Sequence, residues 1–207
     1  MIPLLLDLAG RHVLVCGGGE VAARKTAFFL PETGVTVVSR SFHSFLRESD
    51  ARLVEADLDE LGDEELQVLC AGMFLVIAAT PDPNLNDRIV RAARRTGAHA
   101  NSATGGGDVH LPAVSRGERF LVAVATGGDS PGMARFLREA VERAFPCLDA
   151  MVGLQARLRR SLRDRPGDQE ARAAILRRVL MDNDVWDALV EGDDRAWNLV
   201  EERYLDS

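Results

Sequence analysis

HVLVCGGGEVAARKTAFFL, residues 12–30, decides the fold. Residues 12–16 form a short apolar run of strand type, and residues 17–30 open on glycines and continue as a helix. Gly17-Gly18-Gly19-Glu20-Val21-Ala22 fits G-x-G-x-x-[GA] at that junction. The first glycine permits a tight turn and the second lets backbone approach a pyrophosphate. The small sixth residue lets the helix sit close to the sheet, with its N-terminus facing the phosphates. Gly17, Gly18, Gly19, Glu20 and Val21 are therefore candidate dinucleotide contacts. The alternative is a tight strand-to-helix turn in an α/β protein of another kind.

The pattern repeats downstream. VTVVS (35–39) reads as a second strand, ARLVEA (51–56) as a weaker third, ELQVLCAG (65–72) as a helix and FLVIAAT (74–80) as a fully buried strand. PNLNDRIVRAARRTG (83–97) is an amphipathic helix with Leu85, Ile89 and Ala93 on one face and Gly97 as its stop. AHANS (98–102) is a fifth strand. Strands alternating with helices predict a Rossmann-type α/β domain with a parallel sheet over residues 1–112. LPAVSRGERFLVAVAT (111–126) then reads as an antiparallel hairpin around SRGE, followed by a turn and a helix capped by Ser130 with Pro131 as its first residue. This module runs over 113–146. Residues 147–207 show four helical segments and no strand signal: 150–165, 168–181, 184–192 and 193–205.

Composition bounds the function. A net charge of −7 argues against a general nucleic-acid binder, and any polyanionic substrate would need a local basic patch. Cys16, Cys70 and Cys147 are scattered with no C-x-x-C, which fits reduced thiols better than disulfides or zinc. No apolar run has the length of a membrane span, and the start MIPLLLDLAGR lacks a basic n-region. The reading is a cytoplasmic protein with no membrane or nucleic-acid partner and no bound metal. Lys25 is the single lysine in an arginine-rich chain, and Tyr204 the single tyrosine.

Where an acidic residue would bind ribose hydroxyls, the second strand ends in Ser39 and Arg40. Arg40 suits adenine, a 2′-phosphate or simple exposure, so the sequence leaves NAD and NADP open. Thr80, Pro81 and Asp82 follow the fourth strand at its carboxyl end and border the expected cofactor crevice. Asn86 is read as a cap or a brace for the helix. A tyrosine/lysine-type short-chain dehydrogenase is disfavoured because Tyr204 lies near the C-terminus and Lys25 in the first helix. A dinucleotide-sensing module without turnover would share the first hundred residues.

GGGEVAARK (17–25), AATPDPNLNDRI (78–89), Asn101, LPAVSRG (111–117) and VATGGDSPGMARFLRE (124–139) stand together in an order that resembles the precorrin-2 dehydrogenases, the siroheme synthase N-terminal-domain family. PLLLDLAGR near the start agrees as well. The resemblance covers residues 1 to about 145. It implies NAD as cofactor, precorrin-2 as substrate and a homodimer built through the 113–146 module. It further implies oxidation to sirohydrochlorin, followed in some members by Fe²⁺ insertion. Candidate substrate contacts are Lys25, Asn101, Thr126, Gly127, Gly128, Ser130 and Arg135. Arg24, Arg116, Arg119 and Arg138 are further cations that a polycarboxylate could use.

One departure matters. The family carries an aspartate for acid/base work shortly after that asparagine, and here the position is Thr104. Asp108 and His110 are the nearest groups able to act as a base, sharing a face of an extended segment. The alternative is that Asp108 caps the glycine loop and His110 is an edge residue. Thr104, Asp108 and His110 are thus the candidate catalytic set. The expectation is competent dehydrogenation with weak or absent ferrochelatase activity.

Overall fold

The computed structural model describes residues 2–163, 165 and 168–206. It divides after Leu111 into two units, each with its own core. In the first unit, strands β1 (His12–Cys16), β2 (Gly34–Ser39), β3 (Arg52–Glu55), β4 (Leu75–Ala78) and β5 (His99–Ser102) form one sheet in the order β3-β2-β1-β4-β5. Every pairing is parallel. Side chains alternate across a strand, so β1 serves two cores at once. Val13 and Val15 pack with Ala22, Ala23 and Phe29 of α1 (Glu20–Phe29) and with Leu46 of α2 (Ser44–Glu48). Leu14 and Cys16 pack on the other face with Leu66 of α3 (Asp63–Cys70) and with Leu85, Ile89 and Ala93 of α4 (Pro83–Arg95).

Helix α2 has no periodic signal in the sequence. It exists because His43 accepts the Phe45 N–H at 3.2 Å and Leu46 fills the core completely. Helix α3 begins two residues before the expected start. The Glu65 carboxylate reaches back to accept the Gly62 N–H at 2.7 Å, which fixes the first turn. The last expected turn of the helix at 71–72 is replaced by an extended Ala71 and by Gly72 at φ +75°.

The second unit opens with the antiparallel pair β6 (Ala113–Arg116) and β7 (Leu121–Val124), against which α5 (Pro131–Ala144) packs. The turn lies at 117–120 rather than at SRGE, because Ser115 and Arg116 stay paired with Val122 and Leu121. Asp149 sets this position, its carboxylate accepting the Glu118 and Arg119 N–H groups at 2.8 Å each. Ser130 caps α5 by accepting the Met133 N–H at 3.2 Å.

Helices α6 (Leu148–Arg163), α7 (Gln169–Leu180), α8 (Asn183–Glu191) and α9 (Asp193–Val200) enclose a core of Met151, Leu154, Leu158, Leu162, Val185 and Trp197. The segment expected as one helix over 193–205 ends its α-geometry at Val200 and continues as a π-helical turn, Glu201–Leu205. Asp164 lies outside the described residues, so α6 is described only to Arg163.

Candidate functional site

The carboxyl ends of β1, β2, β4 and β5 lie along one edge of the sheet, and the chain order reverses between β1 and β4. Ligands of open parallel sheets bind at such a reversal. Gly17 sits there at φ +120°, donates to the Val38 carbonyl at 2.9 Å, and would drive any Cβ into the Ala79 carbonyl. A Cβ on Gly18 would collide with the Ser41 carbonyl. These two glycines are required by the protein's own packing.

Gly19 is different. A Cβ built on it meets no protein atom within 4 Å, and φ −81° is open to any residue. It is the N-cap of α1 but supplies no side-chain hydrogen bond, leaving the first-turn N–H groups of Glu20, Val21 and Ala22 to be met by something else. A bare glycine at an uncapped helix start suits a pyrophosphate and its charge. Glu20 and Val21 are exposed beside this opening.

After β4 the chain is held by Asn86, which is fully buried in α4. Its Oδ1 accepts from the Thr80 N–H at 3.0 Å and the Thr80 hydroxyl at 2.8 Å. Its Nδ2 donates to the Thr80 carbonyl at 3.0 Å and to the Thr104 hydroxyl at 3.3 Å. Asp82 caps α4 through the Asn84 N–H at 2.9 Å. One carboxamide thus ties the loop bearing Thr80, Pro81 and Asp82 to the loop bearing Thr104. The sequence signal for this was a lone polar residue among Leu85, Ile89, Val90 and Ala93.

At the end of β2, Ser39 Oγ accepts weakly from the Ser41 N–H at 3.5 Å. Arg40 pairs with Asp57 at 3.2 Å and Asp59 at 3.8 Å, both beyond the end of β3. Those acids were not foreseen.

The glycine-rich segment reverses the chain onto β5. The Asp108 and Val109 N–H groups both donate to the Ala100 carbonyl at 2.9 Å, and Arg94 holds the Gly106 carbonyl at 2.6 Å. A Cβ on Gly107 would strike the Ala100 carbonyl, so this return needs a glycine. The returning chain covers the sheet's open edge.

Asp108 is engaged in that return. Its carboxylate accepts the Ala100 N–H at 2.8 Å and contacts His99 Nδ1 at 2.8 Å. Burial pushes its pKa up, but the hydrogen bonds from His99 and Ala100 outweigh it and hold the carboxyl below its ordinary value. His110 is exposed. Thr104 bonds Ser102 Oγ at 3.1 Å. Thr104 and Asn86 therefore meet directly, whereas Asp108 faces the outer strand.

Lys25 Nζ donates to Asn101 Oδ1 at 2.6 Å, and Asn101 Nδ2 donates to the Val109 carbonyl at 2.7 Å. Burial, and then the nearby Arg24 charge, bring Lys25 down to about 8. The pair joins α1, β5 and the returning loop. In the second unit, Thr126 Oγ1 accepts from the Ser130 N–H at 3.2 Å, and Gly127 and Gly128 turn at φ +70° and +101°. Arg135 is ion-paired with Glu139 at 3.1 Å, and Arg138 with Glu142 at 2.8 Å. Burial raises the Cys16 thiol far above its ordinary value and Cys70 to about 11, which makes both inert packing groups.

A family model for NAD(P)-binding domains matches residues 4–113. A precorrin-2 dehydrogenase of Methanosarcina barkeri is 34% identical over 94% of this chain and 89% of its own length. A siroheme synthase of Pseudomonas paraeruginosa is 33% identical over 98% of this chain, and one of Ectopseudomonas mendocina 40% identical over 79%. The chain spans 44% and 34% of those two proteins. The solved structure of SirC, a precorrin-2 dehydrogenase, superposes with a TM-score of 0.72 at 23% identity, covering 98% of this chain and all of that one.

Proposed function

We infer the reaction from the family, since this chain belongs to the precorrin-2 dehydrogenases. The protein oxidises precorrin-2 to sirohydrochlorin with a nicotinamide cofactor. The observation that carries the reading is the bare, uncapped start of α1 beside the Asn86-held loop. Gly17, Gly18 and Gly19 admit the pyrophosphate, with Thr80, Pro81 and Asp82 bordering the nicotinamide half. When bound, the cofactor supplies the hydride acceptor. The chain's own task is orientation, and fixing the reacting geometry alone supplies a large part of such an acceleration. Asn86 and the Lys25–Asn101 pair hold the two loops between which a ring carbon must be placed.

The cofactor is NAD rather than NADP. Two carboxylates surround Arg40, so a 2′-phosphate would meet net negative charge there.

The functional unit is a homodimer joined through β6, β7 and α5. Leu121, Met133, Phe136 and Leu137 expose 39–56% of their surface on that module, an apolar face suited to a second copy.

Metal insertion is weak or absent. It requires removal of two pyrrole N–H protons, and Asp108, held ionised by His99 and Ala100, is a poor base. Any residual chelation falls to His110. The soluble cytoplasm is the compartment in which both substrates would be met; among the described residues no helix is long and apolar enough to cross a membrane.

The test is paired. NADH formation from precorrin-2 and Fe²⁺ or Co²⁺ insertion are followed for the parent, Asp108→Ala and His110→Ala. NADH formation in all three, with little chelation in any, is the expected result. Tight NAD⁺ binding with no NADH formed by the parent would overturn the enzyme reading in favour of a sensor.

A further inference from the structure

We propose that the cleft between α6 and α7 is a binding site for a macrocycle that carries carboxylate arms. The cleft has a volume of about 610 Å³. Leu162, Ala173 and Leu176 supply its apolar part, and Arg159, Arg163 and Arg172 its cations. Arg159 and Arg163 stand one turn apart on α6, and Arg172 faces them from α7. None of the three is ion-paired among the described residues; Arg172 only donates Nε to the Asp168 carbonyl at 3.2 Å.

The charge distribution singles this place out. The chain carries a net −7, yet residues 150–181 hold eight arginines against three acids. Several of those arginines have other work. Arg157 lies over the Trp197 ring at 3.8 Å, Arg178 over Tyr204 at 5.1 Å, and Arg165 donates to the Leu205 carbonyl. Arg135 and Arg138 of α5 are neutralised by Glu139 and Glu142. Of the remaining arginines in residues 150–181, Arg159, Arg163 and Arg172 line the α6–α7 cleft together. The neighbouring cleft between α8 and α9, about 460 Å³, sets Asp184, Asp187, Glu191 and Glu202 against Arg195 and Arg203, a net negative lining that disfavours the same ligand.

An apolar floor under planar guanidinium groups selects a particular chemistry. Guanidinium pairs with carboxylate through two parallel N–H bonds and also stacks on flat π-systems. A small anion would leave the leucines unused, and an uncharged ring would leave the arginines unused. A macrocycle with carboxylate arms uses both. The proposed reaction rests on the same ligand class, so the site would hold its substrate or product on the second unit. The cleft argument depends on that reading only for the natural ligand's identity.

The probe is uroporphyrin, a stable macrocycle with eight carboxylates, titrated into the full chain by calorimetry and fluorescence. The variants are the triple Arg159→Ala/Arg163→Ala/Arg172→Ala and, independently, Arg163→Glu. All three positions are solvent-accessible, and NAD⁺ binding and melting temperature should stay at parental values. The expected result is loss of one uroporphyrin site per chain in the triple variant, or weakening of that site by roughly tenfold or more. Benzenehexacarboxylate, which has the charge without the macrocycle, should displace uroporphyrin poorly. Unchanged stoichiometry and affinity in both variants would overturn the proposal, as would displacement by benzenehexacarboxylate at equal concentration. NADH formation from precorrin-2 is measured alongside. Turnover with unaltered uroporphyrin binding removes the cleft and leaves the reaction standing. Absence of turnover with binding lost in the variants removes the reaction and leaves the cleft standing.

Discussion

Replacing Asn86 with alanine should uncouple the two loops at the cofactor edge. The Asn86 carboxamide is fully buried and makes four hydrogen bonds, three to Thr80 and one to Thr104. Without it the Thr80 hydroxyl retains the Asp82 carbonyl at 3.1 Å, but the Thr80 N–H and C=O lose their side-chain partner. Each buried group left unsatisfied costs about 1–3 kcal/mol, and part is recovered if the loop swings into water. A net loss of about 2–4 kcal/mol follows, or roughly 4–16 °C in melting temperature for a chain of this size. The swing itself should weaken NAD⁺ binding by roughly tenfold or more, because the loop must be reordered when the cofactor binds. Hydrogen exchange at the Thr80 amide reads the local effect, and calorimetric NAD⁺ titration reads the functional one. Asn86→Asp is the companion variant. It keeps an acceptor for the Thr80 N–H, but when ionised it faces the Thr80 carbonyl with no proton to give. Burial raises such a carboxyl's pKa, so its stability is full at acid pH and falls as pH rises through the raised value. Slow Thr80 exchange and parental NAD⁺ affinity in Asn86→Ala would refute the reasoning.

Gly19→Asp should abolish measurable NAD⁺ binding while the melting temperature holds, since a Cβ there meets only open space; parental affinity by calorimetry would count against the phosphate placement. In the parent, stability should rise with pH between about 8 and the ordinary lysine value, because the half-buried Lys25 is easier to deprotonate folded than unfolded. That slope should vanish in Lys25→Met, as denaturant titrations across the range would show. Asp108 has a depressed pKa, so its contribution is present at neutral pH and lost as pH falls through that value. Asp108→Asn should therefore lose stability mainly at neutral pH, by about 1 kcal/mol or less for so exposed a pair, and differ little from the parent in acid. Asp57→Asn/Asp59→Asn should shift the cofactor preference toward NADP⁺, measured as the ratio of kcat/KM values. Phe136→Glu should halve the mass seen in light scattering, and a parent that is already monomeric at micromolar concentration would refute the dimer.

The first hundred residues were legible because the signals there are local. A glycine triplet between an apolar run and a helix, and strands spaced by helices, follow from backbone sterics and side-chain periodicity, which act over a few residues. Ser130 and Pro131 at the start of α5 belong to the same class, as does Gly97 ending α4. The hairpin turn was displaced because Asp149, some thirty residues away, holds it. Likewise α2 rests on a core position for Leu46 rather than on any period of its own.

The opening left at Gly19 and the motif around it could be read from the chain alone. The choice for Asp108 could not. The chain alone leaves it open between a base and a cap of the glycine loop, and only the folded chain puts His99 and the Ala100 N–H beside its carboxylate. The same is true of Arg40, whose meaning for the cofactor changes once Asp57 and Asp59 stand next to it. Residue type and spacing determine which groups are available along the chain. Only the packing of distant segments decides which of them are left free, because a charge or a hydrogen-bonding group is defined chemically by the partner it meets.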